Sequence, residues 1–280
     1  MIQAQLNAFP SDFHYDGRFP IHLDAPPPPQ ARPFTEIHDA RALQAGRDVT
    51  AFFETHGFVL LPHDTAVTDW DAAVTDGYLA EVEALIRTHL LPGRTLGIPP
   101  FGTLIRRGAG TGNGYATGVH QDCGIGPDDF QALVVGFSNA ESAAFWRAFY
   151  DRPDVERYLL IDIWRTTDMT GPLQHMPLAL CDPNTVEAAD IVPTEIHGVA
   201  PEGRSVPQMA VRRNPGQSWY YYPGMTGKEA LAFKLFDCSK DDPAAMRSCF
   251  HTAFEDVTAP ADAEPRRSCE FRAGVFVMRD

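Results

Sequence analysis

A histidine and an aspartate that could bind a metal ion stand two residues apart in the sequence Val119-His120-Gln121-Asp122. In an extended segment residues i and i+2 point to the same side, so His120 and Asp122 can reach one metal ion. The glycine-rich run at 108–114 precedes them. The chain has ten histidines and many acidic residues, so a His-x-Asp triplet alone is weak evidence for a metal site.

A third ligand would have to come from a later strand. His251 begins the sequence His251-Thr252-Ala253-Phe254-Glu255, which is typical of a strand end. A histidine there often serves only the local hydrogen bonding, so His251 counts as a ligand only with further context. With His120 and Asp122 it would complete the facial triad of Fe(II) oxygenases, which leaves positions open for other ligands.

That context lies at the start of the last apolar strand. Arg266, Ser268, Glu270 and Arg272 alternate with residues of the opposite face, so one face carries two cations, a hydroxyl and a carboxylate. Pointing them into an apolar core without partners is costly, and a solvated strand face is the alternative. Arg266-x-Ser268 can bind a carboxylate through a guanidinium fork and a hydroxyl group, with Arg272 as an alternative or helper.

The order of His-x-Asp, distal His and Arg-x-Ser resembles that of the Fe(II)/2-oxoglutarate oxygenase superfamily. More closely, the chain is similar to the family of cephamycin C-7 hydroxylase components, AsaB-type hydroxylase/desaturases and gibberellin desaturases. The matching stretches are residues 78–83, 163–165, 177–183, 219–221, 233–237, 251–256, 265–268 and 270–273.

The resemblance implies a double-stranded β-helix, or jelly-roll, core like that of the cupins. It also implies that His120, Asp122 and His251 bind Fe(II), that Arg266 and Ser268 bind the cosubstrate 2-oxoglutarate, and that dioxygen is consumed. The expected reaction oxidises a small specialised-metabolism intermediate, by hydroxylation, desaturation or oxidative cyclisation. Two rivals are a cupin-like metal enzyme that does not use 2-oxoglutarate and a non-catalytic β-barrel that binds a small molecule.

Composition limits the partners. The 280 residues include 23 Lys plus Arg against 37 Asp plus Glu, a formal net charge of -14. An acidic surface without a basic cluster argues against nucleic acid. No segment is apolar enough to span a membrane, the N-terminus does not resemble a signal peptide, and the five cysteines form no CxxC pair. We therefore expect a cytoplasmic protein that binds a small molecule.

The chain is predicted to be mainly β with flanking helices. Residues 1–35, with four consecutive prolines, are expected to form an extended arm that could join a homodimer. Residues 36–280 are expected to form one domain with an N-terminal helical layer, which includes a helix from Trp70 to about Leu90. A lid-like insertion that gates the substrate is expected at 124–157. It includes a predicted helix at 141–150, which carries Phe145 and Trp146. Predicted strands cover residues 103–106, 158–166, 178–181, 208–212, 218–222, 230–236, 250–254 and 269–278.

Overall fold

Short strands connected by turns form most of the chain. The computed structural model describes residues 1–70, 76–99, 102–242, 245 and 247–279. Its strands are β1 (Ile2–Gln5), β2 (Phe19–His22), β3 (Phe34–Asp39), β4 (Phe58–Pro62), β5 (Leu96–Gly97), β6 (Gly102–Gly108), β7 (Val155–Thr166), β8 (Leu178–Cys181), β9 (Ile191–His197), β10 (Ser205–Val211), β11 (Trp219–Tyr221), β12 (Glu229–Ser239), β13 (His251–Ala253) and β14 (Arg267–Met278). Its α-helices are α1 (Ala40–Gln44), α2 (Val49–His56), α3 (Asp76–Leu85), α4 (Pro127–Phe137) and α5 (Ala140–Tyr150).

The strands form three sheets. The largest has the order β4-β12-β7-β14-β5, and β6 pairs with β14 beside β5. A second sheet has the order β1-β3-β11-β8-β13, and a third the order β10-β9-β2. One internal cavity takes side chains from both larger sheets, so it lies between them. The β-rich, jelly-roll fold class expected from the sequence is confirmed.

A helical layer covers the outer face of the largest sheet, where α2 and α3 pack in the main hydrophobic core. The Asp48 side chain accepts a hydrogen bond from the Ala51 N–H and caps α2, which ends at Gly57 with φ of 75°. A Cβ at Gly57 would lie 2.8 Å from the Cys249 Sγ, so both backbone angle and space require glycine.

The helix expected from Trp70 to about Leu90 is described from Asp76, and residues 71–75 lie outside the described residues. After Leu85 it continues as a π-helical turn over Ile86–Leu90. Tyr78, Val82 and Ile86 are buried on its inner face, as their spacing predicts.

The segment at 124–157 contains α4 and α5, of which only α5 was expected from the sequence. Trp146 is buried against Tyr150 and Tyr158, whereas Phe145 is exposed. The apolar cluster under these helices includes Val155 and Phe276, at the end of β7 and β14 farther from Arg266. Among the described residues, none from 124–157 lines the cavity. The lid role expected for this segment therefore stays a prediction.

The N-terminal segment is partly built into the sheets. Strand β1 pairs antiparallel with β3 and is an edge of the second sheet, while β2 pairs in parallel with β9. The four prolines at 26–29 lie between β2 and β3 in extended chain without regular structure. The arm expected over residues 1–35 therefore includes two short strands.

A buried charge cluster ties the helical layer to the largest sheet. The Lys234 Nζ lies 3.1 Å from the Asp237 Oδ2 and 3.2 Å from the Glu54 Oε2 on α2. Arg157 contacts both carboxylates. The Lys234 and Asp237 side chains are fully buried, so each needs its partner. The structure thus gives the Lys234 ammonium group two carboxylate partners, Asp237 and Glu54.

We expect Lys234→Met to lower the free energy of unfolding by about 3–5 kcal/mol, because removing one member of a buried pair leaves its partner uncompensated. Urea denaturation followed by circular dichroism measures the change. The matched control is Arg87→Ala, whose exposed pair with Glu83 should contribute less than about 1 kcal/mol. Equal small losses in both variants would contradict a stabilising role for the cluster.

Candidate active site

Three side chains converge at one end of the cavity. One donor atom each of His120, Asp122 and His251 lies within 4.8 Å of the other two. The His120 Nε2 is 3.4 Å from the Asp122 Oδ1, and the two imidazole rings are 4.4 Å apart between centroids. The backbone at His120 pairs with that at His251 in an isolated antiparallel bridge, which brings residues far apart in the sequence side by side.

Backbone carbonyl groups orient both imidazoles. The His120 Nδ1 lies 2.8 Å from the Gly118 carbonyl oxygen, and the His251 Nδ1 lies 3.1 Å from that of Cys249. A carbonyl only accepts, so each Nδ1 carries a hydrogen and donates it. In the neutral imidazole the Nε2 lone pair is then left for a metal ion.

Gln121, between the two ligands of the triplet, fixes their segment. Its buried side chain donates to the Leu235 carbonyl and accepts from the Cys123 N–H, 2.9 Å away. Its backbone pairs with that of Met209. Because Gln121 points away from the cavity, His120 and Asp122 point into it, as the strand alternation predicts.

Opposite charges surround the aspartate. The Arg272 Nη2 lies 2.8 Å from the Asp122 Oδ2 and 2.9 Å from the Glu270 Oε2, and Arg107 contacts the other Glu270 oxygen. Burial alone would raise the pKa of Asp122, but Arg272 and His120 outweigh it and hold that pKa well below the usual range. Burial lowers the pKa of His251 to about 4, so this imidazole is neutral and able to bind a cation.

The pKa of a neighbouring carboxyl group, that of Asp162, is shifted in the direction opposite to that of Asp122. Asp162 lies across from Arg272 in the β7–β14 register and lines the cavity. Burial and then the negative charge of Glu270 raise the pKa of Asp162 well above its usual range. Its Oδ1 is buried and has no hydrogen-bond partner within the described residues.

Arg266 and Ser268 supply polar atoms that have no partner in the protein. The Arg266 Nη1 donates to the Met176 carbonyl, and its guanidinium carbon lies 4.4 Å from the centre of the Tyr115 ring. The Arg266 Nε and Ser268 Oγ are buried and unpaired among the described residues. Thr166, directly opposite Ser268 in the register, has a buried hydroxyl in the same state. An acceptor such as a carboxylate would satisfy all three, because leaving them unpaired costs free energy.

The remainder of the cavity is mainly apolar. Trp164, Leu178, Phe233 and Ala253 line it together with the polar groups. Tyr115, from the loop after the glycine-rich run, donates from its hydroxyl to the Arg266 carbonyl over 3.0 Å and packs edge-on against His175. Arg165 points to the opposite face, where it contacts His63 and the Gly227 carbonyl, as expected for a structural residue.

Five of the six residues singled out from the sequence line this cavity: His120, Asp122, His251, Arg266 and Arg272. Ser268 lies between Arg266 and Arg272 in the sequence, and its hydroxyl is buried and unpaired among the described residues. Strand alternation alone did not reveal Thr166, Asp162 or Arg107, because the sequence does not specify which strands flank β14. The polar residues of 162–166 within an apolar strand were the available signal.

The donor set fits a divalent transition metal. Two neutral imidazoles and one ionised carboxylate are the ligands of non-haem Fe(II) centres, and the unpaired Arg266 and Ser268 atoms suit a second, anionic ligand. Fold and donor set together define a jelly-roll protein equipped to hold a metal ion.

The comparisons assign the family. The chain belongs to the family whose model is described as "Oxidoreductase/YMDC permease-like domain", which matches residues 29–276. Hydroxylase/desaturase CTB9 of Cercospora beticola is 28% identical over 251 residues, 83% of this chain and 74% of that protein. The Fe(II)/2-oxoglutarate-dependent dioxygenase nvfI of Aspergillus novofumigatus is 25% identical, over 86% of this chain and 82% of its own.

A solved structure gives the same fold. That of the iron and alpha-ketoglutarate-dependent endoperoxidase NvfI superposes with a TM-score of 0.71 at 21% identity, covering 99% of this chain and 98% of that one. The resemblance to hydroxylase/desaturases and 2-oxoglutarate oxygenases that the motifs predicted is confirmed by these relatives.

We expect His251→Ala to weaken binding of Co(II), used as an air-stable probe for Fe(II), by more than the 10–100-fold typical of outer-shell changes (about 100-fold or more). The variant loses one of three donors. Isothermal titration calorimetry on metal-free protein measures the affinity. His175→Ala is the control, since His175 lies beyond Arg266 and should leave affinity unchanged. Equal affinity in wild type and His251→Ala would place the metal elsewhere.

Proposed function

We propose that this protein is a non-haem Fe(II), 2-oxoglutarate-dependent oxygenase that oxidises a small specialised-metabolism intermediate. The observation that carries the proposal is the coexistence, in one cavity, of the His120–Asp122–His251 group and the Arg266 guanidinium group. The Arg266 Nε and, two residues along the chain, the Ser268 Oγ are buried and unpaired among the described residues. A metal enzyme that did not use 2-oxoglutarate would have no need of the second feature. The names of the relatives support the same activity.

In this proposal the two ends of 2-oxoglutarate bind different parts of the cavity. Arg266 and Ser268 bind its distal carboxylate, and the Thr166 hydroxyl is a third donor. Tyr115 and Trp164 flank the guanidinium group, with its carbon 4.4 Å and 5.6 Å from the ring centres, which restricts its rotation. Arg272, already engaged by Asp122 and Glu270, is assigned to those carboxylates rather than to the cosubstrate.

When bound, Fe(II) and 2-oxoglutarate together supply the oxidising chemistry that protein side chains lack. The chain holds the three ligands in fixed rotamers through Gly118, Cys249 and Arg272. Trp164, Leu178 and Phe233 exclude water and present an apolar wall to a substrate C–H bond. Hydroxylation, desaturation and oxidative cyclisation all begin with oxidation of such a bond, and the proposal covers all three.

The decisive experiment is an anaerobic titration of the metal-free protein with Fe(II) and then 2-oxoglutarate. We expect a weak visible charge-transfer band from the chelated keto acid in the wild type. In Arg266→Ala, half-saturation should require at least about tenfold more 2-oxoglutarate, because a charge-assisted contact contributes about 1.5–3 kcal/mol. Thr166→Val should give a smaller increase.

Thr167→Val is the matched control. Its hydroxyl is likewise buried and unpaired, but Thr167 lies beyond the position opposite Ser268. If Fe(II) binds without the band, the 2-oxoglutarate assignment fails and the cupin-like metal enzyme replaces it. If Fe(II) does not bind at all, the non-catalytic binding protein does.

The compartment and the quaternary structure belong to the proposal as well. No helix in the described ranges is long and apolar enough to cross a membrane. The five cysteines are buried and free of disulfides, which supports the cytoplasmic location expected from the sequence. Within the described part of the chain, strand β1 has a neighbour on one side only, and an edge strand can pair with a second chain, which supports a homodimer through the N-terminal segment.

A further inference from the structure

We infer that Arg272 is a positioning residue that keeps Asp122 a one-oxygen metal ligand and so preserves the coordination positions that the cosubstrate needs. The inference rests on the proposed function and goes beyond it, because it concerns how the carboxylate ligand is held.

The two oxygens of Asp122 face different partners. Oδ1 lies 3.4 Å from the His120 Nε2, on the side where the imidazole donor atoms converge, whereas Oδ2 lies 2.8 Å from the Arg272 Nη2. The charge-assisted hydrogen bond from the guanidinium N–H holds Oδ2 toward Arg272 and withdraws electron density from it, which disfavours a second metal bond through this oxygen. Oδ1 is left as the donor aimed at the ion.

This division affects the number of open positions. Three single-atom ligands on one face of an octahedron leave three positions, which a chelating keto acid and one further small molecule fill. A carboxylate bound through both oxygens would occupy a fourth position and compete with the cosubstrate. Holding Oδ2 therefore favours cosubstrate binding as well as metal binding.

Arg272 is itself held in place. Its Nη2 lies 2.9 Å from the Glu270 Oε2, and Glu270 in turn contacts Arg107 on β6. The Arg272 side chain is 17% exposed and that of Glu270 is 10% exposed, so both charges are largely removed from water and depend on each other. Arg272 and Glu270 are two residues apart on β14, so the same strand face carries the pair and the Arg266–Ser268 clamp.

The test uses full-length metal-free protein and Co(II), whose visible absorption reports coordination number. Arg272→Gln should bind Co(II) about 10–100-fold more weakly, the range for outer-shell partners. Its Co(II) spectrum should differ from that of the wild type, and 2-oxoglutarate should perturb that spectrum less. Arg272→Lys keeps the positive charge on a shorter and more flexible side chain that is less well fixed between the two carboxylates, so it should fall between the wild type and Arg272→Gln.

Arg267→Gln is the matched control, because Arg267 lies on the same strand with its side chain on the other face, where it pairs with Glu264. It should keep the wild-type Co(II) affinity and spectrum. An Arg272→Gln protein that melts at lower temperature yet retains both properties would overturn the inference, since a merely structural residue would behave so. If Arg272→Gln does not fold, Arg272→Lys indistinguishable from Arg267→Gln would overturn it equally.

The outcomes separate this inference from the proposed function. If wild-type protein binds Co(II) no better than His251→Ala, the metal site itself is refuted, and the inference about Arg272 with it. If the wild type binds Co(II) through His251 and Arg272→Gln matches it in affinity and spectrum, only the role of Arg272 is refuted.

Discussion

The antiparallel pairing of β7 with β14 is the constraint on which the site depends. Its register sets Ser268 opposite Thr166, Glu270 opposite Trp164 and Arg272 opposite Asp162. Directly opposed residues share a face of the sheet. This one ladder therefore brings Ser268 and Thr166, the Trp164 side chain, and the Arg272–Glu270 pair to the face on which His120, Asp122 and His251 lie. A slip of one residue would turn Arg266, Ser268 and Arg272 into the apolar layer packed by Cys269 and Phe271.

The same face illustrates how a jelly roll accommodates charge in its interior. Arg272, Glu270 and Arg107 neutralise one another and Asp122, and burial beside Glu270 raises the pKa of Asp162, which disfavours a further negative charge. Desolvation makes each isolated charge costly, so the group is stable only as a set. The Lys234–Asp237–Glu54–Arg157 cluster follows the same rule between α2 and the sheet.

The residues of the candidate site were predicted from the sequence more completely than the outer helices and edge strands. The i, i+2 spacing of His120 and Asp122 and the alternation from Arg266 to Arg272 are local patterns, and a strand preserves them regardless of its neighbours. All eight predicted strands overlap observed ones, although their ends differ by up to three residues. The roles of Thr166 and Asp162 depend on register, which the sequence does not encode locally.

The misses have comparable causes. Helix α4 has Pro127 and the acidic residues Asp128 and Asp129 in its first turn, but its N-cap position is Gly126, which provides no side-chain cap. Strands β1, β2 and β9 are short or contain proline, and partners distant in the chain define them. Arg266 was singled out from the sequence, but the contacts of its guanidinium group with the Tyr115 and Trp164 rings arise from a loop and a strand that meet only in three dimensions.

The bridge between His120 and His251 has a mechanical consequence. Their backbones exchange two hydrogen bonds, of 3.1 Å and 2.8 Å. The two histidines therefore join β13 to the segment that leads to α4. An ion bound by both segments would stabilise their pairing, because its binding free energy would add to the free energy of local unfolding. Metal binding and the pairing of the His120–Asp122 segment with β13 are therefore thermodynamically linked, so each favours the other.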